Sequence, residues 1–516
     1  MIQQKQINKN LLFNIVNLTI NVIIALFYIP YLVKTLGMIA YGIIPLALIV
    51  NQYIGVITGS LTNSLTRFYS ISVEQKEFDK ASSYLSSSFV VITIIAVILL
   101  PIFGLFVLNV DSILNIPIEY VDHAKLLFSF TLFGFILSLY SSLINITLYA
   151  ENRLDVLNLL AILRLGVKVI LTLLFFENIS IEVSYIGYSN FLSELLVLIV
   201  SLLYYKKTIN NKVNISVSFY DKASTFGILS MAVWVVVHQL GDTALYRTDN
   251  VLVNKFWSTR ESGILGALSE LGNYVLLTVG VISSLFGPLI LKAYSIGDHN
   301  QVKKLAVKYS LLVGILSSIL VGVLIGFSKP LIGIWLGEEY KLYSDWFVLK
   351  LIVIPFYAAS GVFAFVYKSW NKIRIPAIIT VVIGLMNFLI CTYILNIGAN
   401  SEEYISYMLV ASVFFILLQS YGLNAFWFAN LYPEVKINIL RVGFLILLAL
   451  LITCIFSYIY NKIFKIQNAA QFAIGTIAVV CSVIPILFKA FWKITERKII
   501  LEYIKENIKN VFSRPF

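Results

Sequence analysis

Ionisable side chains are rare in the apolar stretches of this chain, and where they occur they cluster. The run HQLGDTALYRTDN places His238, Asp242, Arg247 and Asp249 on one otherwise apolar segment. If the segment is helical, His238 and Asp242 are four residues apart and share a face, and Asp242 and Asp249 nearly do. Arg247 follows Asp242 by five residues, about 140° round the axis, so that pair is looser. A cation here could attract phosphate, while the acids could accept a proton or hold the arginine. The alternative is a span that ends near Leu245, with Arg247 and Asp249 facing the outer surface. A second pair, Arg164 and Lys168, has i,i+4 spacing and forms a two-charge stripe. Two cations facing one cavity would suit a diphosphate, which wants several charge-assisted donors. The competing roles are pairing with an acid such as Glu194, or snorkelling toward the interface. Glu194 and Glu270 stand alone in their apolar runs, where each could couple movement to an ion gradient or serve packing.

The elements that carry these residues are membrane helices. The chain has 516 residues, of which 59% are hydrophobic and 12% charged, with a mean hydropathy of +0.90. Soluble domains carry about twice that share of charge. A helix needs about 20 apolar residues to cross the hydrocarbon core. Fourteen segments qualify: 11–33, 39–65, 84–109, 124–149, 156–176, 182–205, 223–250, 264–291, 306–327, 346–367, 376–397, 405–427, 438–460 and 468–490. Their continuous apolar character argues against transmembrane strands, which are short and alternate. Helices also satisfy every backbone polar group internally. The fold class expected is all-α and polytopic. Lys5 and Lys9 precede the first run, which continues without a cleavage site and reads as a retained span.

Most of the 38 basic residues fall on one side if the spans alternate and the N-terminus is cytoplasmic. Loops Lys206–Lys222, Lys292–Lys308 and Lys368–Arg374 are basic, whereas Asp111–Asp122 has acids only. This places both termini inside by the positive-inside rule. The formal net charge of +12 then reflects topology and the anionic inner leaflet, with no nucleic-acid partner implied. The tail 491–516 alternates lysines with apolar residues and reads as an amphipathic helix lying on that leaflet. Cys391, Cys454 and Cys481 have no paired spacing, no metal-ligand cluster is present, and no phosphate-binding glycine loop occurs. Nothing points to an enzyme, a metal or a cofactor.

The chain also repeats. YLVKTLGMIAYG at Tyr31–Gly42 and VLVNKFWSTRESG at Val251–Gly263 each precede a span rich in small residues. Those spans end in TRFYS (Thr66–Ser70) and LKAYS (Leu291–Ser295). The repeat divides the chain into a six-helix lobe (1–205), a cytoplasmic linker (206–222), a second six-helix lobe (223–427) and two further helices (428–490). Two lobes related by a pseudo-twofold axis can rock about a central site. Arg67 and Lys292 fall at matching positions, where they would line the inner mouth of a cavity or anchor the interface.

YLVKTLGMIAYG after the first span and YRTDNVLVNKFW (Tyr246–Trp257) after the seventh carry a family resemblance over nearly the whole chain. The chain resembles the polysaccharide transporter family of flippases, within the multidrug/oligosaccharidyl-lipid/polysaccharide exporter superfamily, and looks most like translocases for O-antigen or capsule repeat units. The resemblance implies a MATE-like fold in the bacterial inner membrane. It implies inner-to-outer-leaflet movement of undecaprenyl-diphosphate-linked oligosaccharides by alternating access, with H+ or Na+ coupling and a polysaccharide polymerase as partner. On it, Arg164, Lys168 and Arg247 would contact phosphate. Asp242, Asp249, Glu194, Glu270 and His238 would gate or couple ions. Lipid II flippases also have fourteen spans, so that cargo, and a drug or ion antiporter of the same fold, stay open as alternatives.

Overall fold

The computed structural model describes residues 2–491 apart from 209–212, 285, 287–289, 291–292, 295, 371, 373 and 399–400. Among the described residues there is no β-strand. The first seven long helices are α1 (Ile2–Glu74), α2 (Phe78–Leu108), α3 (Val121–Ala150), α4 (Leu154–Asn178), α5 (Ser184–Thr208), α6 (Lys222–Phe256) and α7 (Thr259–Ser284). After them come α8 (His299–Gly326), α9 (Ser344–Leu351), α10 (Ile354–Ser369), α11 (Arg374–Ile397) and α12 (Glu403–Leu417). The chain closes with α13 (Ala425–Leu431), α14 (Lys436–Phe464) and α15 (Ala469–Phe491). The expected tail helix lies outside the described residues, except for its first residue, Phe491, which ends α15.

Thirteen helical segments among the described residues are long and apolar enough to cross a membrane. The difference from fourteen arises in α1, where the spans expected at 11–33 and 39–65 run into one 73-residue element. Unbroken, such a helix would be about 110 Å long, several times the hydrocarbon thickness. Gly37 divides it into two helical legs, with φ 78° and ψ 159°. That conformation is essentially restricted to glycine, so one residue without a Cβ separates the two legs. Phe27, Val97, Leu105, Phe226 and Leu440 are exposed, which suits surfaces facing lipid.

Packing divides the chain into two compact units. The first comprises Met1–Thr278, Asp345–Lys350 and Val366–Asn424; the second comprises Val279–Ser344, Leu351–Phe365 and Ala425–Phe516. The sequence-derived lobes, 1–205 and 223–427, are divisions by chain order. These units follow contacts, and α1 packs against α3 and α4 as well as α6, which gathers charged helices of both halves into the first unit.

Within the first unit, polar pairs fasten α1 to α4. Lys9 Nζ lies 2.7 Å from Asp155 Oδ2, Asn17 donates to Asn158 at 3.0 Å, and Tyr28 donates to Thr172 at 3.0 Å. The second leg of α1 meets α7 closely, and a Cβ on Gly42 would stand 2.1 Å from the Thr259 carbonyl oxygen. The linker between the halves is docked. Ser82 and Ser86 on α2 accept from the amides of Asn214 and Ser216, each at 3.1 Å, and Ser87 accepts from Asp221 at 3.0 Å. A serine-rich turn (Ser82–Ser88) therefore replaces water for backbone that has no helix partner.

In the second unit, α8 and α14 approach through small residues. A Cβ on Gly314, Gly322 or Gly326 would come within 2.3, 2.6 and 2.3 Å of Ile446, Thr453 and Ser457. Ser318 donates across to the Ile446 carbonyl at 3.1 Å. Helices in lipid gain from close contact and interhelical bonds, at about 0.6 kcal/mol per bond. Val479 and Val483 of α15 complete this core with Ile315, Ile319, Phe327 and Ala449.

Candidate functional site

Five of the charged residues singled out above act on one another in the first unit. Arg164 on α4 places Nε 3.0 Å from Glu194 Oε1 on α5. Lys168, one turn on, acts electrostatically on both Glu194 and Glu270. Glu270 on α7 accepts from the Asn273 side chain and is attracted to Arg247 of α6. The five groups form a chain of alternating sign: Arg164, Glu194, Lys168, Glu270, Arg247. It carries one net positive charge and links four helices. Glu194 and Glu270, which stand alone in the sequence, are each between two cations.

Arg247 and Glu270 line a small pocket of about 20 Å³ together with Gln52, Tyr246, Asn250 and Ser269, over an apolar floor that includes Pro45 and Leu48. That volume has room for about one water. Buried Gln52 Oε1 and Ser269 Oγ have no hydrogen-bond partner there. Buried polar atoms of this kind are few and call for an occupant. A wider, open recess of about 490 Å³ shares Leu48 and Gln52 and is lined also by Gly55, Val56, Gly59 and Gln239. Glycines at 55 and 59 leave this wall without side chains, and the Gln239 amide oxygen accepts from Ser60 at 3.1 Å.

The remaining residues divide. His238 Nδ1 lies 3.1 Å from Asp242 Oδ2, the i,i+4 pair expected on α6, and Asp242 Oδ1 has no hydrogen-bond partner. The α6 helix runs on past Leu245 to Phe256. Asp249 is 1% exposed and forms an ion pair with Lys350 of α9. Its other oxygen accepts from Ser412 of α12 at 2.9 Å, and Ser412 also reaches Asn387 of α11 at 3.3 Å. Asp249 is thus apart from the five-charge chain. Arg67 lies in α1 with its side chain outside what is described, and Lys292 is outside the described residues. No cluster of metal-ligating side chains occurs among the described residues.

Four contributors were not singled out in the sequence: Gln52, Gln239, Ser269 and Lys350. Gln52, next to Asn51, and Gln239 are amides within apolar spans, and Lys350 is a lone cation within one, so all three carried a detectable signal. Ser269 carried none, because serines are scattered throughout the spans.

Comparison with known proteins agrees with this fold and extends it. The inward-facing conformation of a multidrug resistance MATE family transporter of the MOP superfamily aligns with a TM-score of 0.67 at 14% identity, covering 82% of this chain and 99% of that one. Lipid II flippase MurJ, in an inward closed conformation, aligns with a TM-score of 0.66 at 16% identity, covering 94% of this chain and 98% of that one. The fold is therefore that of MATE-type membrane proteins. The polysaccharide biosynthesis protein family model matches residues 7–293, more than half of the chain, and the chain belongs to that family. The uncharacterized membrane protein EpsK of Bacillus subtilis (strain 168) is 24% identical over 386 residues, covering 72% of this chain and 74% of that protein.

Proposed function

We propose that this protein is a flippase that carries polyprenyl-diphosphate-linked oligosaccharide, of the O-antigen or capsule type, from the inner to the outer leaflet of a bacterial cytoplasmic membrane. The observation that carries the reading is the five-charge chain. Three cations from two helices, α4 and α6, act on only two carboxylates inside a membrane protein. Burying charge in a membrane is costly and is retained where a cargo or ion needs it. A diphosphate offers the acceptor oxygens that Arg164, Lys168 and Arg247 would bind. Membership in a polysaccharide biosynthesis family supports a glycan attached to that diphosphate.

In this reading the sugars and diphosphate enter the open recess beside Gln52 and Gln239 while the polyprenyl tail stays in lipid. The lobes 1–205 and 223–427 then rock, with both termini on the cytoplasmic side. Proton or sodium binding at an acid resets the carrier, and a polymerase receives the cargo outside. No bond is made or broken. Lipid II is the second reading, supported by the extent of the fold match to a lipid II flippase; it uses the same phosphate contacts and differs in the sugars.

The experiment compares three cargoes in vesicles containing the purified protein: a fluorescent polyprenyl-diphosphate oligosaccharide, fluorescent lipid II and a soluble cationic dye. Leaflet exchange of the first alone is the expected result. Movement of only the dye would overturn the reading.

A further inference from the structure

We infer that Glu194 is a resident counter-anion that the cargo's diphosphate displaces from Arg164, and that the displaced carboxylate then takes up a proton. This deepens the proposed function and rests on its diphosphate cargo. Arg164 Nε lies 3.0 Å from Glu194 Oε1 as an ion pair without hydrogen-bond geometry, and the Arg164 side chain keeps 38% of its surface exposed. The arginine is therefore already partnered but still accessible. Glu194 is the opposite: its side chain is 10% exposed, and Oε2 has no hydrogen-bond partner. When the guanidinium turns to a phosphate, Glu194 Oε2 has no hydrogen bond of its own to hold the charge, and Lys168 is the other cation acting on it among the described residues.

The surroundings fix the direction of the proton. On α4 the charges acting on Glu194 are Arg164 and Lys168, and α3, which also packs on α5, contributes none of them. Lys168 also acts on Glu270, so it cannot serve Glu194 alone. Glu270 in turn faces Arg247, Lys168 and the phenols of Tyr41 and Tyr274. A diphosphate drawn to Arg164 and Lys168 brings negative charge toward a carboxylate losing its cation. An ionised acid left unpaired in low dielectric neutralises instead of staying charged. The proton comes from water, and no other group need change. Linkage is reciprocal: if diphosphate raises the affinity of Glu194 for a proton, lower pH raises affinity for diphosphate by the same factor. Cargo loading and proton loading at Glu194 are thereby one event, separate from the ion binding that resets the carrier.

The test uses full-length protein in lipid nanodiscs and a short-chain prenyl-diphosphate sugar, whose phosphates are both esterified and hold fixed charge near neutral pH. Calorimetry in two buffers of different ionisation enthalpy counts protons taken up per ligand bound. The parent should show net uptake approaching one proton and binding that tightens as pH falls. Glu194→Gln should lose the uptake and bind about tenfold tighter at neutral pH, a coupling within the usual allosteric range. Glu194→Asp keeps a titrating group and should retain the uptake, which separates the exchange from general damage to the α4–α5 contact. Binding by the parent with no proton uptake, or uptake unchanged in Glu194→Gln, overturns the exchange and leaves the diphosphate reading standing. Absence of binding by the parent and by folded Glu194→Gln overturns both.

Discussion

Two groups of charges within the same compact unit are built to opposite plans. Around Asp249 every valence is used: Lys350 takes one oxygen, Ser412 donates to the other, and the carboxylate is 1% exposed. Around Arg164, Lys168 and Arg247 the charges are shared between neighbours, cations outnumber acids, and polar atoms at Gln52 and Ser269 have no partner. A closed pair is what holds helices together, since removing either member leaves an uncompensated buried charge. An unbalanced chain beside an open recess can exchange partners with a ligand. Under the proposed function the contrast would separate structural from cargo-handling charges, and any gating by Asp249 would require its pair with Lys350 to open.

The largest expected effect belongs to the closed pair. Lys350→Met or Asp249→Asn alone should cost about 3–5 kcal/mol of stability, and the double substitution should recover most of it. Thermal midpoints of the purified variants check this; a double variant as unstable as the singles would remove the distinction.

Next come the exchange-capable cations. Arg247→Ala should slow cargo movement by about 10- to 100-fold, the loss of a hydrogen bond to a charged group, with a thermal midpoint near that of the parent. Loss of folding with retained specific activity would move Arg247 into the structural class.

The second unit supplies a contrast without charge. Gly322→Leu would drive a side chain into Thr453 across the α8–α14 contact. Overpacking of this kind costs about 1–3 kcal/mol. Stability should fall while apparent affinity for cargo is unchanged, as measured by melting and ligand titration on one preparation.

The smallest effect is at the docked linker. Bonds from Ser224, then from the backbone amides of Ser224 and Ala223, hold the exposed Asp221 carboxyl below its usual range. A depressed carboxyl stabilises the folded state above its unfolded pKa, and that contribution is lost as pH falls through the folded value. Faster hydrogen exchange at the start of α6 below about pH 4 should therefore appear in the parent and be absent in Asp221→Asn, where an amide oxygen still caps the helix. Equal pH dependence in both would assign it elsewhere.

The sequence made the helical class, the spans and most of the charged positions legible, because ionisable groups in apolar runs are conspicuous. It also exposed the His238–Asp242 pair, which is local to one helix. Pairings between helices were not legible: nothing in the chain order links Asp249 to Lys350, 101 residues away. The single-residue break at Gly37 could not be told from a longer loop, since YLVKTLGMIAYG combines apolar residues with Lys34 and Thr35 and no clear turn signal beyond the glycine itself. The linker 206–222 reads as basic, and only the serines of α2 that accept from Asn214, Ser216 and Asp221 show how that part of it docks.

The most direct measurement is leaflet-to-leaflet movement of a fluorescent polyprenyl-diphosphate oligosaccharide, with Arg164→Ala and the Asp249→Asn/Lys350→Met double variant beside the parent. The account predicts movement by the parent and the double variant and its loss in folded Arg164→Ala. Full movement by Arg164→Ala, with none by an equally folded double variant, would contradict it by placing cargo handling in the closed pair.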